Sequence, residues 1–551
     1  MRRIATLLYC TFAIILLMST REPGTGPYLP APSPSGGWGA RAGGYGLVKA
    51  TAQDAPNILL IIADDLGVDR LNGYHAGDRL ATTPTLDSLR RVGLTFTNAV
   101  AAPACSPSRA ALLTGQYGVK NGVTDVPGNL ATDQPSLFRE LDAGPVDYAH
   151  ALIGKWHLSR MATAAAPYAF GMDYYDGVTR GNVTDYYSWT RDRDGVRTTE
   201  SEYVTTALTN ATLDWVDGRT RPWFVWLAHT APHSPYHVPP AGLFTVGSTN
   251  GNVNQYLAMT EALDHEVGRL LASLTPEARA NTLVIFVGDN GTPANVMQDY
   301  PTRRGKGTLY QGGIRVPLIV AGHGVTRAGE REDALVHIAD LHATILEAAG
   351  RDLPGGILNS NSFYDLLSDG GADAGARVYN YVERGEDWMI RTATHKLIQL
   401  EDGTRELYAV ATDSFELNNL LTTTPLPQDL ALIRDDLLAE GLRQRTDWSC
   451  RDRVKNGEET GIDCGTADCG ACTTSTTSTR VTALRLSPNP AGAGVTLPGR
   501  GAVRVWDAAG RLVLSEKTTD RFSVSDFREG VYLVELRVAG ERFVGRLVVQ
   551  R

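Results

Sequence analysis

Two stretches restrict the fold of this 551-residue chain more than any other feature: NILLIIADDLG, beginning at Asn57, and TLVIFVGDNG, Thr282 to Gly291. Each is a nearly continuous apolar run of strand length followed at once by oxygen-bearing side chains. A strand that is apolar at successive positions has to be covered on both faces, as in a mostly parallel sheet between layers of helix. Asp64 and Asp65 end the first run, and Asp289 and Asn290 end the second. The carboxyl edge is where open α/β sheets place their ligands. Neighbouring carboxylates repel each other unless a cation lies between them. DNG alone is an ordinary turn signal, but two strands that each end in paired oxygen donors point to one shared divalent ion, calcium or magnesium.

A chain of this length exceeds one compact core, so two or more domains are expected. Of its 52 basic and 61 acidic residues, 11 and 7 lie in residues 481–551, which leaves 41 and 54 in the first 480. An acidic body of this kind does not steer a polyanion by its overall field. Nucleic acid is therefore excluded as a partner, and an anionic substrate has to be caught by a local cluster of cations. Residues 1–20 place two arginines before a 15-residue apolar run, the build of a signal peptide, and residues 21–54 read as a disordered Gly/Pro-rich linker. Of six cysteines, Cys10 falls in the signal segment and Cys450, Cys464, Cys469 and Cys472 crowd into 23 residues. In an exported chain those four favour two disulfides, although the final CGAC also has zinc-ligand spacing. Cys105 is left unpaired.

Cys105 opens CSPSRAALLTG, in which good helix formers are closed by Gly115. A helix N-terminus favours an anion, and Arg109, one turn on, adds a fixed cation. The plain alternative is a buried, inert cysteine. In ALIGKWHLS, Lys155 and His157 stand two apart at the end of a short apolar strand and project to the same side. WFVWLAHTAPHSPYHVP carries a buried-looking strand, Trp223 to Leu227, into a loop with His229, His233 and His237. Three histidines can also mean zinc, yet no carboxylate or cysteine stands nearby in sequence to complete such a site. Lys306 lies on a glycine-flanked loop in RRGKGTLYQGG.

CxPSRxxLLTG resembles the signature of the sulfatases, in which the cysteine is oxidised to formylglycine (3-oxoalanine). TAPHSP is similar to the APHxP element of that family and selects His233, with His229 and His237 left to supporting positions behind the site or to the surface. GKGTLYQGGIR resembles its GKGxxYEGGxR element, with Gln311 in place of glutamate. The likeness covers roughly residues 55–445. Asn121, where relatives often have histidine, and Ser159, where glycine is usual, are the other departures. The resemblance implies an alkaline-phosphatase-like α/β/α sandwich around a mostly parallel mixed sheet, with a small antiparallel subdomain at about 351–445. It implies one calcium ion held by Asp64, Asp65, Asp289 and Asn290 together with the modified Cys105. It also implies that Arg109, Lys155 and Lys306 grip sulfate, that His157 takes a proton from the nucleophile, and that His233, assisted by Lys306, protonates the departing alcohol. The activity implied is that of a sulfuric ester hydrolase acting on sulfated glycans or aryl sulfates. A formylglycine-generating or anaerobic sulfatase-maturing enzyme is the implied partner. A phosphate or phosphonate monoester hydrolase of the same superfamily, or a catalytically dead glycan-binding protein, is the alternative.

Residues 446–480 read as a Cys-rich spacer and a Thr/Ser tether, and residues 481–551 as alternating strands of a small all-β, Ig-like sandwich. SPNP, the turn Asp507 to Arg511 and EGVYLVE resemble the C-terminal sorting domain of the type IX secretion system. Secretion or display on the outer cell surface via the periplasm is the matching expectation, with a glycan-binding module as the rival reading of the same fold.

Overall fold

The run that opens the chain's first described segment, Asn57–Ala63, forms β1 and is buried at every position. The computed structural model describes residues 55–446 and 481–549, apart from residues 75–76, 160–162, 164, 352–358, 370–376, 485, 487–492, 508–511 and 539–540. The signal segment, the linker, the spacer with Cys450, Cys464, Cys469 and Cys472, and most of the SPNP and Asp507–Arg511 elements lie outside the described residues.

Nine further strands join β1 in one sheet: β2 (Gly93–Val100), β3 (Ala149–Lys155), β4 (Tyr174–Val178), β5 (Trp189–Arg193), β6 (Val196–Glu200), β7 (Trp223–Ala228), β8 (Thr282–Gly288), β9 (Leu318–Gly322) and β10 (Arg331–His337). Their order is β10-β2-β9-β8-β1-β7-β3-β4-β5-β6. β8, β1, β7, β3 and β4 run parallel, β9 is inserted antiparallel between β8 and β2, and β5 and β6 extend the far edge antiparallel. The sheet is thus mixed with a parallel centre.

Alternation along β1 sends Ile58, Leu60 and Ile62 into a core shared with Leu112, Leu113, Phe138, Leu341 and Ile345, on helices Cys105–Thr114, Leu137–Asp142 and Asp340–Ala348. Leu59 and Ile61 are just as buried on the opposite face. There the helix Asn252–Ser273 contacts both Pro84–Val92 and Val204–Val216. Burial on two faces is what the unbroken apolar run demands. At the end of β3, Gly154 has φ +113, and a Cβ there would lie 1.9 Å from the Ala228 carbonyl oxygen of β7. Only glycine allows this approach, and it delivers Lys155 to the same edge as Asp64.

A second, antiparallel sheet follows: β11 (Asn380–Arg384), β12 (Asp387–Arg391), β13 (Lys396–Gln399) and β14 (Arg405–Tyr408), with helix Gln428–Thr446 packed on β12 and β13. A buried pair ties it to the main body. Lys396 Nζ lies 2.5 Å from Glu416 Oε1, and Glu416 Oε2 accepts from the backbone N–H of Gln311 at 2.7 Å. The C-terminal strands β15 (Val481–Ala483), β16 (Gly494–Asp507), β17 (Leu512–Ser523), β18 (Gly530–Val538) and β19 (Glu541–Val549) form one sheet in the order β15-β19-β18-β16-β17. Register shifts interrupt the β16–β17 ladder around Thr496, Gly501 and Val503, and residues on both sides of them, Val495 and Val505 among them, bury in one core. The expected all-β C-terminal region is thus present, its five strands hydrogen-bonded in one order around a single core among the described residues.

Lys396→Met should cost about 3–5 kcal/mol, since it strands the Glu416 carboxylate in the interior without a partner. Lys396→Met combined with Glu416→Gln should recover most of that loss. Denaturant midpoints of the wild type, the single and the double variant measure both; a single variant as stable as the wild type would refute this role for the pair.

Candidate active site

β1 and β8 are in register, Ala63 beside Gly288, so the residues that follow them emerge side by side. Asp64, Asp289 and Asn290 are 0% exposed and Asp65 2%. Asp65 turns in the left-handed region, φ 68, and its backbone N–H donates to Asp289 Oδ1 at 3.0 Å. Parallel packing of β1, β7 and β3 then brings in the other strand ends.

Cys105 opens the wholly buried helix Cys105–Thr114, and Gly115 closes it at φ 68. Buried hydroxyls fix this helix in place: Ser106 donates to the His157 carbonyl at 2.8 Å and Ser108 to the Ala102 carbonyl at 3.2 Å. One turn after Cys105, Arg109 donates through Nη2 to Asp289 Oδ2 at 2.8 Å and through Nη1 to the Lys155 carbonyl at 2.9 Å. It also lies 3.9 Å from Asp64 Oδ1. Arg109 thus neutralises carboxylates, where the sequence led us to expect a cation aimed at the cysteine. Lys155 Nζ donates to Asp64 Oδ2 at 2.6 Å. His157, at φ 58, places Nδ1 3.3 Å from Cys105 Sγ.

The β7 loop and the loop after β8 complete the cluster. His233 Nε2 is 3.6 Å from Asp65 Oδ2, and Nδ1 donates to the Ser234 carbonyl at 2.6 Å. Lys306 Nζ is 2.5 Å from Asp65 Oδ1. All ten residues singled out from the sequence therefore converge on one place, while the other two histidines of the β7 loop do not join them. His229 is fully buried, with both ring nitrogens lacking a hydrogen-bond partner, and His237 Nε2 pairs with the Tyr203 hydroxyl at 3.1 Å.

The electrostatics follow from this crowding. Burial opposes ionisation of Asp64, but the charges of Lys155, His233, Arg109 and Lys306 prevail and hold its carboxyl below the usual range. Asp289 is pushed up to about 6 by burial and by the negative Asp64 beside it. Burial raises the Cys105 thiol, and burial together with the Lys155 and Arg109 cations lowers His157 to about 2, keeping the imidazole neutral.

Asp64 Oδ1 and Asn290 Oδ1 are buried without a hydrogen-bond partner. Ligand atoms of Asp64, Cys105 and Asp289 lie within 4.8 Å of one another, as do those of Asp64, Asp65 and His233. Orphaned oxygens are costly in an interior, and hard oxygen donors around a concave point are what a divalent cation requires. The residues present fit calcium.

The structure adds partners that the motifs did not reveal. The Tyr186 hydroxyl lies 2.6 Å from the Thr230 carbonyl and 2.7 Å from that of His233, bracing the histidine loop. Arg384 of β11 donates to the Gly307 carbonyl, next to Lys306, and pairs with Asp125 at 3.2 Å. Neither carries a periodicity or a spacing that a sequence displays. The departures are accommodated locally: Asn121 Nδ2 donates to the Gln116 carbonyl at 2.9 Å, and Ser159 Oγ accepts from Trp156 Nε1 at 2.8 Å.

Comparison with known proteins shows which family this fold belongs to. Residues 304–440 match the model described as N-sulphoglucosamine sulphohydrolase, C-terminal. N-acetylgalactosamine-6-sulfatase of Sus scrofa is 31% identical over 349 residues, covering 56% of this chain and 65% of that protein. Arylsulfatase J of Mus musculus is 29% identical, covering 57% and 56% respectively. The match thus spans less than two thirds of the length of these relatives. A sulfatase of Formosa agariphila is 28% identical over 75% of this chain and 91% of its own. The crystal structure of Ps i-CgsB in complex with k-i-k-neocarrahexaose superposes with a TM-score of 0.62 at 25% identity, covering 71% of this chain and 93% of that one. Since residues 56–351, more than half of the sequence, match the family model described as Sulfatase, the chain belongs to the sulfatase family.

Proposed function

We propose that the chain hydrolyses sulfate esters of glycans, using a nucleophile made by oxidation of Cys105 to formylglycine and one calcium ion held by Asp64, Asp65, Asp289 and Asn290. The observation that carries this reading is the buried oxygen cluster, with two orphaned acceptors, facing Cys105 at a helix start. Support for glycans comes from a relative named for an N-acetylgalactosamine 6-sulfate and from a neighbour solved with neocarrahexaose. Maturation by a formylglycine-generating or anaerobic sulfatase-maturing enzyme, and export to the outer surface by a type IX sorting domain at residues 481–551, belong to the same proposal.

Sulfate-ester hydrolysis builds negative charge on the sulfate oxygens and expels a poor alkoxide, so it calls for concentrated positive charge and a proton donor. Calcium bound among the four oxygen donors would add charge for the sulfate, and the aldehyde at residue 105, once hydrated by water, would provide the attacking hydroxyl. The chain's own groups do the rest. Lys155 and Arg109 balance Asp64 and Asp289, and Lys306 presents its ammonium at the outer side of the cluster. With Nδ1–H tied to the Ser234 carbonyl, a protonated His233 would carry its transferable proton on Nε2, 3.6 Å from Asp65 Oδ2, for delivery to the departing alcohol. His157, neutral and 3.3 Å from residue 105, is placed to take a proton from it.

Calcium at about 100 times its Kd should stabilise the wild type by about 2.7 kcal/mol, and Asp65→Asn should abolish the shift. Calorimetric titration and thermal melts with and without chelator check this; equal melting curves would remove calcium from the scheme.

His233→Ala should lower kcat on alkyl and sugar sulfates by about 10²–10⁴, and far less on nitrophenyl sulfate, whose leaving group needs no proton. An equal loss on both would deny His233 the role of proton donor. Parallel assays with phosphate esters separate the sulfatase from a phosphohydrolase. The peptide containing Cys105, isolated after expression in a host with a maturing enzyme, should show the mass of an aldehyde in place of the thiol.

A further inference from the structure

Among the described Phe, Tyr and Trp side chains, Tyr187 is the most exposed, at 40%. It follows directly on Tyr186, the residue whose hydroxyl braces the His233 carbonyl. Their loop leaves the end of β4 beside His157, where a Cβ added at Gly181 would meet the His157 ring at 2.3 Å. It therefore passes both histidines of the candidate site before returning to the sheet at β5.

Tyr187 is exposed yet immobilised. Its hydroxyl donates to the Val238 carbonyl at 2.7 Å, across to the loop that carries His233. Its ring lies 5.3 Å from that of Tyr203 and edge-on, 5.8 Å, to that of His237. His237 in turn sits 4.2 Å from the Tyr186 ring and bonds the Tyr203 hydroxyl. Val238, joined to Tyr187 by that hydrogen bond, is 42% exposed. Two exposed side chains fixed in this way beside the His233 loop offer a ready contact to a ligand that enters there.

We propose that Tyr187, with Val238 beside it, is a specificity-determining wall that takes the apolar C–H face of the pyranose ring bearing the sulfate. The inference rests on the sulfate-ester reading of the same site. The charged cluster below is closed by burial, so the alcohol half of an ester whose oxygen meets His233 Nε2 has to extend outward past the His233 loop. Val238 and Pro235 are exposed on that loop, and Tyr187, on the β4–β5 loop, is hydrogen-bonded to it and exposed beside Val238. An aromatic face with a fixed ring offers stacking with little loss of rotamer freedom. A flexible alkyl chain has no flat face to match it.

The test compares KM and kcat for a sulfated hexopyranoside monosaccharide and for a short-chain alkyl sulfate. Tyr187→Ala should raise KM for the sugar ester by roughly three- to tenfold, with kcat and the alkyl ester's KM nearly unchanged. Tyr187→Phe and Tyr187→Trp, which keep a ring, should retain the wild-type KM for the sugar. Unchanged KM for the sugar in Tyr187→Ala, or equal changes for the two esters, would overturn the proposal. Saturation-transfer NMR of the wild type with an unsulfated methyl hexopyranoside gives a second measurement that needs neither turnover nor a variant. Transfer concentrated on the protons of one sugar face is expected, and absence of transfer would count against the wall. A wild type that hydrolyses neither ester would refute the hydrolase reading alone, while the NMR result would still decide whether a sugar ring binds here.

Discussion

The structure is organised around a repulsion. Asp64, Asp65 and Asp289 stand together at the carboxyl edge of the sheet with almost no access to water, where like charges interact strongly and solvation is lost. Three cations relieve it, and each comes from a different segment. Arg109 rides on the helix after β2, Lys155 ends β3, and Lys306 lies on the loop after β8. None of the three pairs forms unless the parallel centre β8-β1-β7-β3 and the helix packed on it are already in place. Assembly of the sheet and assembly of the site are therefore one event, and any change that unbalances the charges acts on both.

The helix Cys105–Thr114 shows how a chemically exposed position can sit in an interior. Its polar side chains are all buried, yet they are bonded to the backbone around them. Ser106 reaches the His157 carbonyl, Ser108 the Ala102 carbonyl, and Thr114 donates to the Ala110 carbonyl at 2.7 Å. Satisfied hydroxyls carry little desolvation penalty, so the helix can be driven into the core with Cys105 at its leading end. Two hydrogen bonds link the same region to the Lys306 loop and to β11: Gly307 donates to the Pro103 carbonyl at 2.7 Å, and Arg384 donates to the Gly307 carbonyl. The small antiparallel sheet thus braces the site as well as closing the fold.

What the sequence made legible is what local pattern encodes. The unbroken apolar runs at β1 and β8 could only be strands covered on both faces, and the donors after them had to meet at one edge. Hydrophobic pattern says nothing about strand order, however, and the antiparallel insertion of β9 between β8 and β2 could not be read. Nor could the three histidines of the β7 loop be told apart by composition. His233 was selected by its motif, and only packing shows why His229 is excluded: its ring is sealed in the interior beside Ile62, whose carbonyl accepts its backbone N–H at 3.0 Å. Tyr186, Tyr187 and Arg384 were invisible for the same reason, since their roles arise from contacts between segments far apart in the chain. At the C-terminus, alternation revealed the strands, while the register shift at Gly501 goes with a close approach of β18, whose Arg537 carbonyl lies 2.2 Å from where a Cβ on Gly501 would stand.

Exposure divides the charged groups into two layers, and the division assigns their work. Lys155 and Arg109 are essentially inaccessible, at 0% and 1% side-chain exposure, and their donors are already bonded to Asp64, Asp289 and a backbone carbonyl. Lys306 and His233, at 22% and 15%, both face Asp65 from the outer side. A partly exposed cation such as Lys306 can reach a group arriving from solvent while it stays beside its buried partner Asp65, whose side chain is 3% exposed. A fully buried one cannot, since leaving its carboxylate unpaired costs several kcal/mol. The inner layer consequently keeps the carboxylates ionised and in position, and the groups able to turn toward an incoming anion are the outer two.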